Sequence, residues 1–428
     1  MPPFASLSSL VDVRPLPSSS LTSSSSSKDN SISTSLWVPS GARGVFGGQV
    51  IAQSLSAASR TISQPLGLHS LHCYFLLPAH GSPDIEYRVE RLRDGKSYAN
   101  RLVRAWQGGR EVFVLLASYT LPPVPLPVDL SKTSSAAAAP VSRGQSSAST
   151  SEEKTKVSHS LRFALQQTEE NSSGSSGAAT GGASDRNTTV THQRQSPKCG
   201  FQPKFQVPFP TNLVPYEECE EEEHRWTNFL ETKAKDWTRS KRRFLEEYIR
   251  ERRESPVSIA TARTTEGESP SYKEVDPEIQ QTRLSWLRAR LHPSEKPDVE
   301  TIKAMIAYMT DFQFIGTASR SVGLHQGSTP RLGMLASLDH TIHFYPLPDD
   351  FDPSAPLLHV MESQAVDVAS GRGVVQGRVY TSQGVLVAVT SQEGVVRADL
   401  KGLVAKGLVE GGAVGEEERD TAPVKAKL

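Results

Sequence analysis

Three polar residues in the last third of the 428-residue sequence stand among apolar neighbours. Asp311 lies in DVETIKAMIAYMTDFQFIGTA, with Tyr308, Met309, Phe312 and Ile315 around it. A carboxylate in such a helix either faces solvent or is held for a purpose. Gln392 ends an apolar strand, where alternation puts Leu386, Ala388, Thr390 and Gln392 on one face. By pattern alone it is a polar residue at a strand end. Ser337, just before Leu338-Asp339-His340, carries little signal as a lone serine. Asp339, His340 and His343 invite a dyad or a metal site. Adjacent strand residues point to opposite faces, so Asp339 and His340 do not share a site, and no metal is expected. Cys73, in LHCYFLL, reads as a small core hydrophobe rather than a nucleophile.

Other chemistries are excluded by what the sequence lacks. There is no G-x-S-x-G elbow, H-E-x-x-H helix, phosphate-binding Walker loop or G-x-G-x-x-G turn. Lys plus Arg and Asp plus Glu both total 47, so there is no basic surplus for nucleic acid. No run approaches the ~18 apolar residues of a transmembrane segment. Cys73, Cys199 and Cys219 are too few and scattered for a disulfide framework or a zinc site.

The elements that must position these residues come in two similar sets. In the first, GVFGGQVIAQSLSAASRTI has helical spacing, at Val45, Val50, Ile51, Leu55, Ala58 and Ile62. Four strand-like runs follow, LGLHSLHCYFLLP, DIEYRVERLRDG, KSYANRLVRAWQGG and REVFVLLASYTL, with hairpin signals at Asp94-Gly95 and Gly108-Gly109. The second opens on the helix holding Asp311, with Asp298 as N-cap. Its four runs are MLASLDHTIHFYP, APLLHVMESQAVD, GRGVVQGRVYTSQ and GVLVAVTSQEGVV. Glu111–Ser118 aligns with Gly384–Ser391, which makes Tyr119 the counterpart of Gln392. The first helix has no acidic residue, so a single working site is expected, in the second copy. The fold expected is α+β: two helix-plus-antiparallel-sheet units, each sheet wrapped around its helix, joined edge to edge as a pseudo-dimer.

The expected boundaries are a first unit at 1–125, a linker at 126–202, a charged helical connector at 203–297, a second unit at 298–400 and a flexible tail at 401–428. Residues 17–35 are nearly all Ser and small polar residues and read as a disordered insertion, as does the Ser/Gly/Ala-rich linker. The connector run from Tyr216 to Glu254 reads as solvated surface helix.

At these residues the sequence resembles the type II acyl-CoA thioesterases, the double-hotdog family with bacterial and peroxisomal members. In the first half the resemblance lies in Val45-Phe46-Gly47-Gly48-Gln49-Val50, Leu68-His69-Ser70-Leu71-His72-Cys73-Tyr74-Phe75 and Leu92-Arg93-Asp94-Gly95-Lys96-Ser97-Tyr98. In the second it lies in Tyr308-Met309-Thr310-Asp311-Phe312, Ser337-Leu338-Asp339-His340 and Ser391-Gln392-Glu393-Gly394-Val395-Val396-Arg397. The family's active site is an Asp on the second core helix, a Ser or Thr before the Leu/Ile-Asp-His motif and a Gln in Gln-Glu-Gly-Val. Carried over, these are Asp311, Ser337 and Gln392.

The resemblance implies hydrolysis of acyl-CoA by direct attack of water, with no metal or organic cofactor. Asp311 would take the proton, Ser337 and Gln392 would hold the water, and Gly47 and Gly48, opening the first helix, would let backbone amides reach the oxyanion or the CoA. A hotdog enoyl-CoA hydratase and a non-catalytic acyl-CoA-binding protein are the alternatives. The first lacks its Gly-Asp-x-Asn-Pro-like loop here, and the second would not need all three residues. The C-terminal Ala426-Lys427-Leu428 is similar to the Ser-Lys-Leu peroxisomal address. It implies an import receptor as partner and residence in the peroxisomal matrix. Family resemblance further implies self-association.

Overall fold

Gly47–Ser59 and Val299–Thr310 are helices with almost no polar face. From Gly48 to Leu55, and again at Ala57 and Ala58, every residue of the first except Ser56 is buried, as is every residue of the second from Ile302 to Thr310. A helix apolar on all sides must lie in the middle of a core. These two, α2 and α5, do so and pack against each other. A Cβ on Gly48 would stand 2.5 Å from the Tyr308 carbonyl oxygen, so only glycine permits this approach. Asp298 caps α5, its Oδ1 accepting from the Thr301 amide at 2.7 Å.

The computed structural model describes residues 6–16, 29–63, 65–122, 206–265 and 281–400. The linker at 126–202, the tail after Leu400 and residues 17–28 of the Ser-rich stretch lie outside them. From Ser6 to Leu121 and from Pro208 to Leu400 the described residues belong to one unit. It opens with a short helix, α1 (Leu7–Leu10), and two short strands, β1 (Val13–Pro15) and β2 (Ser31–Ser33). After α2 come β3 (Gly67–Phe75), β4 (Glu86–Asp94), β5 (Tyr98–Gln107) and β6 (Arg110–Thr120). Helices α3 (Glu222–Thr232) and α4 (Arg239–Glu254) lead to β7 (Val257–Thr261) and β8 (Thr282–Ala289). After α5 follow α6 (Phe314–Arg320), β9 (Leu332–Ser337), β10 (Asp339–Phe344), β11 (Leu357–Asp367), β12 (Arg372–Thr381) and β13 (Leu386–Ala398).

Among the described residues the strands form one antiparallel sheet in the order β1-β2-β4-β5-β6-β3-β10-β13-β12-β11-β8-β7, with β9 also on β13. The halves meet where β3 pairs with β10, Leu71 opposite Ile342 and Cys73 opposite His340. This is the expected edge-to-edge double hotdog, and the pairing closes two strand edges that would otherwise be open. The hairpin at Gly108-Gly109 forms with φ of +56° and +77°, the positive values for which glycine is suited.

Five expectations change. Ser31–Ser33, read as part of a disordered insertion, is a strand. Its polarity misleads because the buried Ser33 is bonded through both its amide and its hydroxyl, N–H to the Ile85 carbonyl at 2.8 Å and Oγ from the Ile85 amide at 2.9 Å. The connector is not purely helical: VSIAT and TRLSWLRA become β7 and β8 and widen the second half's sheet beside β11. Its helices are not simply solvated, since Glu222, Glu223 and Arg252 are buried. Finally, two single elements are each broken. The helix holding Asp311 stops at Thr310 and resumes at Phe314, with Gln313 left-handed at φ +62°. The strand through Leu338 splits into β9 and β10, whose amide at Leu338 donates to Glu393 while its carbonyl accepts from Phe75.

No helix among the described residues is long and apolar enough to cross a membrane.

Candidate active site

Asp311 is not inside its helix but caps the C-terminal end of α5. The negative end of α5 disfavours a carboxylate there. The N-terminus of α2 compensates, because the Gly48 amide donates to Asp311 Oδ2 at 2.8 Å. Gly47 also comes close: a Cβ on it would lie 2.8 Å from Asp311 Oδ2 and 2.9 Å from the Phe75 ring. Both glycines thus lie against the Asp311 carboxylate. The Gly48 N–H donates to the carboxylate.

Gln392 comes from β13, on the buried face shared with Ala388 and Thr390; the alternation fails at Leu386, where a register shift against β12 turns that side chain into another cluster, with Leu358, Val360 and Tyr380. Its Nε2 donates to Asp311 Oδ1 at 2.9 Å and lies 3.0 Å from His340 Nδ1. The reverse orientation of the amide would set its oxygen against the carboxylate. His340 Nδ1 thus takes the second Nε2 hydrogen, and it stands 3.8 Å from Asp311 Oδ1. The other ring nitrogen is 3.5 Å from Thr310 Oγ1. Gln392 Oε1 is buried with no hydrogen-bond partner among the described residues. A buried acceptor without a partner is costly, and it is available to a water or a substrate atom.

Ser337 lies on β9, its Cα paired with Gly394, two residues past Gln392. The structure brings it near Gln392 along the sheet, but its hydroxyl makes no hydrogen bond to Asp311 or Gln392 among the described residues. Asp339 points away from His340 and accepts the Glu393 amide at 2.6 Å. Burial raises its carboxyl above the usual range. His343 faces outward, its ring 5.7 Å from that of His72, so the three-residue dyad or metal reading has no shared site. Burial, with the Asp311 and Asp339 carboxylates nearby, holds the Cys73 thiol well above its ordinary range, and its Sγ donates to the His340 carbonyl. It behaves as a core residue.

The sequence reading missed His340. Its signal was the alternation of β10, where His340, Ile342 and Phe344 all face inward. The first copy shows what the site has lost there. Tyr119, the counterpart of Gln392, is fully buried, and its hydroxyl pairs with Ser59 Oγ at 3.1 Å at the end of α2. A Ser–Tyr contact holds the place of the Asp–Gln pair, so the two halves share a fold but only one has the carboxylate.

The sheet wrapped on two central helices, with one carboxylate between a helix N-terminus and a strand amide, defines a double-hotdog hydrolase. A model of the acyl-CoA thioesterase N-terminal domain matches residues 34–120, and one of the C-terminal domain matches residues 219–396. Together they take in more than half of the sequence: the chain belongs to the acyl-CoA thioesterase family, and hydrolysis of fatty acyl-CoA is its reaction. It is similar to acyl-coenzyme A thioesterase 8 of Rattus norvegicus, 25% identical over 85% of this chain and 82% of the relative. A shorter match, 31% identical over 19% of this chain and 24% of the relative, is to the peroxisomal acyl-coenzyme A thioester hydrolase 1 of Saccharomyces cerevisiae. Among solved structures it resembles the acyl-CoA thioesterase II TesB2 of Mycobacterium marinum, with a TM-score of 0.52 over 92% of this chain and 98% of that one; at 20% identity this speaks to the fold.

Proposed function

We propose that Asp311 is the general base of acyl-CoA hydrolysis, and that the observation carrying this role is its carboxylate held between the Gly48 amide and Gln392 Nε2 while Gln392 Oε1 stays unpartnered. Asp311 takes a proton from a water that attacks the thioester carbonyl. Gln392 Oε1 accepts the water's other hydrogen, and the Ser337 hydroxyl approaches from β9. The new C–O bond opens the carbonyl to a tetrahedral oxyanion; as the carbonyl re-forms the C–S bond breaks, and the departing CoA thiolate takes the proton that Asp311 removed from the water. General-base help of this kind contributes ~10²–10⁴ in rate. Because Gly48 is engaged with Asp311, the oxyanion falls to the Gly47 amide one residue earlier, which makes no hydrogen bond within the described residues; one such donor is worth about 10²–10³. No covalent acyl-enzyme forms.

Incubation of the protein with a saturated acyl-CoA and a thiol reagent should release free CoA, with the carboxylate product taking oxygen from labelled water. Binding without release would sink the catalytic reading, and loss of enoyl absorbance without thiol would point to hydration instead.

The proposed location is the peroxisomal matrix, reached through an import receptor that reads Ala426-Lys427-Leu428, residues outside those described. Support comes from the tripeptide itself and from the similarity to the yeast peroxisomal enzyme. A fluorescent protein fused to the N-terminus should give puncta that become diffuse when the tripeptide is removed; puncta that persist would mean that another signal directs import. Self-association is proposed through the outer sheet face, where Tyr74 on β3 and Leu116 on β6 are exposed, and light scattering on the purified protein decides it.

A further inference from the structure

The break that turns Asp311 from a mid-helix residue into a helix cap is held from outside its own helix. Gln313, two residues on, sits in the left-handed region at φ +62°, ψ 1°, an arrangement that a non-glycine residue with no β-branch adopts only when its surroundings enforce it. Those surroundings are specific. Gln313 Nε2 donates to Glu222 Oε1 at 2.6 Å, and Gln313 Oε1 accepts from Ser285 Oγ at 2.9 Å. Its carbonyl accepts from Thr317 Oγ1 in the first turn of α6. Both ends of the side-chain amide are thereby gripped, one by α3 and the other by β8.

Glu222 is itself 2% exposed and fixed. The Tyr248 hydroxyl of α4 donates to its Oε2 at 2.8 Å, and Arg283 of β8 and Arg225 of α3 lie 3.7 and 3.6 Å from its Oε1. The acyl-CoA reaction as proposed uses none of these groups. A buried carboxylate surrounded by two guanidiniums and a phenol, with one oxygen turned to a backbone-strained amide, is organised around that amide.

We propose that Gln313, clamped by Glu222 and Ser285, is a positioning residue that sets the end of α5 and so the placement of the Asp311 carboxylate on Gly48 and Gln392. The charged segment before the second unit is then part of the catalytic apparatus at one remove. This inference rests on Asp311 being the base.

The test is epistasis on kcat. Gln313→Ala removes both grips and leaves a Cβ at positive φ; Gln313→Gly removes the grips but relaxes the backbone. Glu222→Ala removes one grip, and Glu222→Gln keeps an acceptor of the same shape. In the otherwise native enzyme Gln313→Ala and Glu222→Ala should each lower kcat at least tenfold with KM changed less than threefold. Glu222→Gln should recover most of that loss. In an Asp311→Asn background the same Gln313 and Glu222 changes should lower the residual kcat less than twofold, because there is no carboxylate left to misplace. A substitution that merely reduced the folded fraction would multiply its full loss into either background, and that result would overturn the proposal. Should Gln313→Ala fail to fold, Glu222→Ala, which leaves Gln313 in place, supplies the same comparison. If Asp311→Asn alone keeps normal turnover, the base assignment fails instead, which is a different outcome from full multiplicative loss on a disabled Asp311.

Discussion

Gly48 and Asp311 are 263 residues apart in sequence and 2.8 Å apart at the Gly48 amide and Asp311 Oδ2. The bond joins the first residues of one central helix to the last of the other, so the carboxylate exists as a site only where the two halves meet. It also places the group between a positive and a negative helix end.

Asp311→Asn keeps the shape but not the base. The new side chain can still accept from Gly48 through its oxygen, which turns its amide nitrogen toward Gln392 Nε2 and forces the glutamine amide over. We expect kcat to drop at least ~10²-fold, with thermal unfolding close to that of the native protein. Near-normal turnover would remove Asp311 from the mechanism.

Gln392 and Ser337 are expected to differ. Gln392 touches Asp311 at 2.9 Å and is fully buried, whereas Ser337 touches neither. Gln392→Ala should therefore cost about 10²-fold in kcat and Ser337→Ala about tenfold. Equal losses in parallel steady-state kinetics would mean that Ser337 reaches the reacting water more directly than its place on β9 indicates.

A methyl at residue 48 has nowhere to go. Its nearest neighbours are the Tyr308 carbonyl oxygen at 2.5 Å and the Phe46 ring at 2.6 Å, and a helix backbone does not yield like a flexible side-chain end. Gly48→Ala should destabilise the protein by about 1–3 kcal/mol in denaturant unfolding and also lower kcat by parting α2 from Asp311. A variant of unchanged stability would show that the two helices can separate freely.

His359 on β11 gives the pH dependence a direction. It is fully buried against Phe314, whose ring also packs on His340, and burial pushes its imidazole down to about 3. The unfolded chain takes up a proton near pH 6.5 that the folded protein refuses. Its contribution to stability is complete above pH 6.5 and is lost as pH falls toward 3, amounting to about 2 kcal/mol between pH 7 and pH 5. His359→Leu should flatten that part of the unfolding profile. A variant with the same acid slope as the native protein would assign the dependence to other groups.

Much of this was present in the residues. The two helix-and-strands sets, the hairpin at Gly108-Gly109, the Asp298 cap and the inward face of Gln392 all follow from local periodicity and turn chemistry, which act over a few neighbours. Asp311 and Gln392 could be singled out because a charge or an amide among apolar residues is a local anomaly. What the residues could not express is partnership at long range. The serines at 31 and 33 look like disorder until Ile85 comes beside Ser33; VSIAT and TRLSWLRA look like connector until β11 offers an edge. His340 looks like half of a failed dyad until β13 brings Gln392 against it. The helix through Asp311 reads as continuous because each residue of it tolerates a helix; only Glu222 and Ser285, arriving from other elements to hold Gln313, make the break favourable, and with it the helix end on which the carboxylate is held.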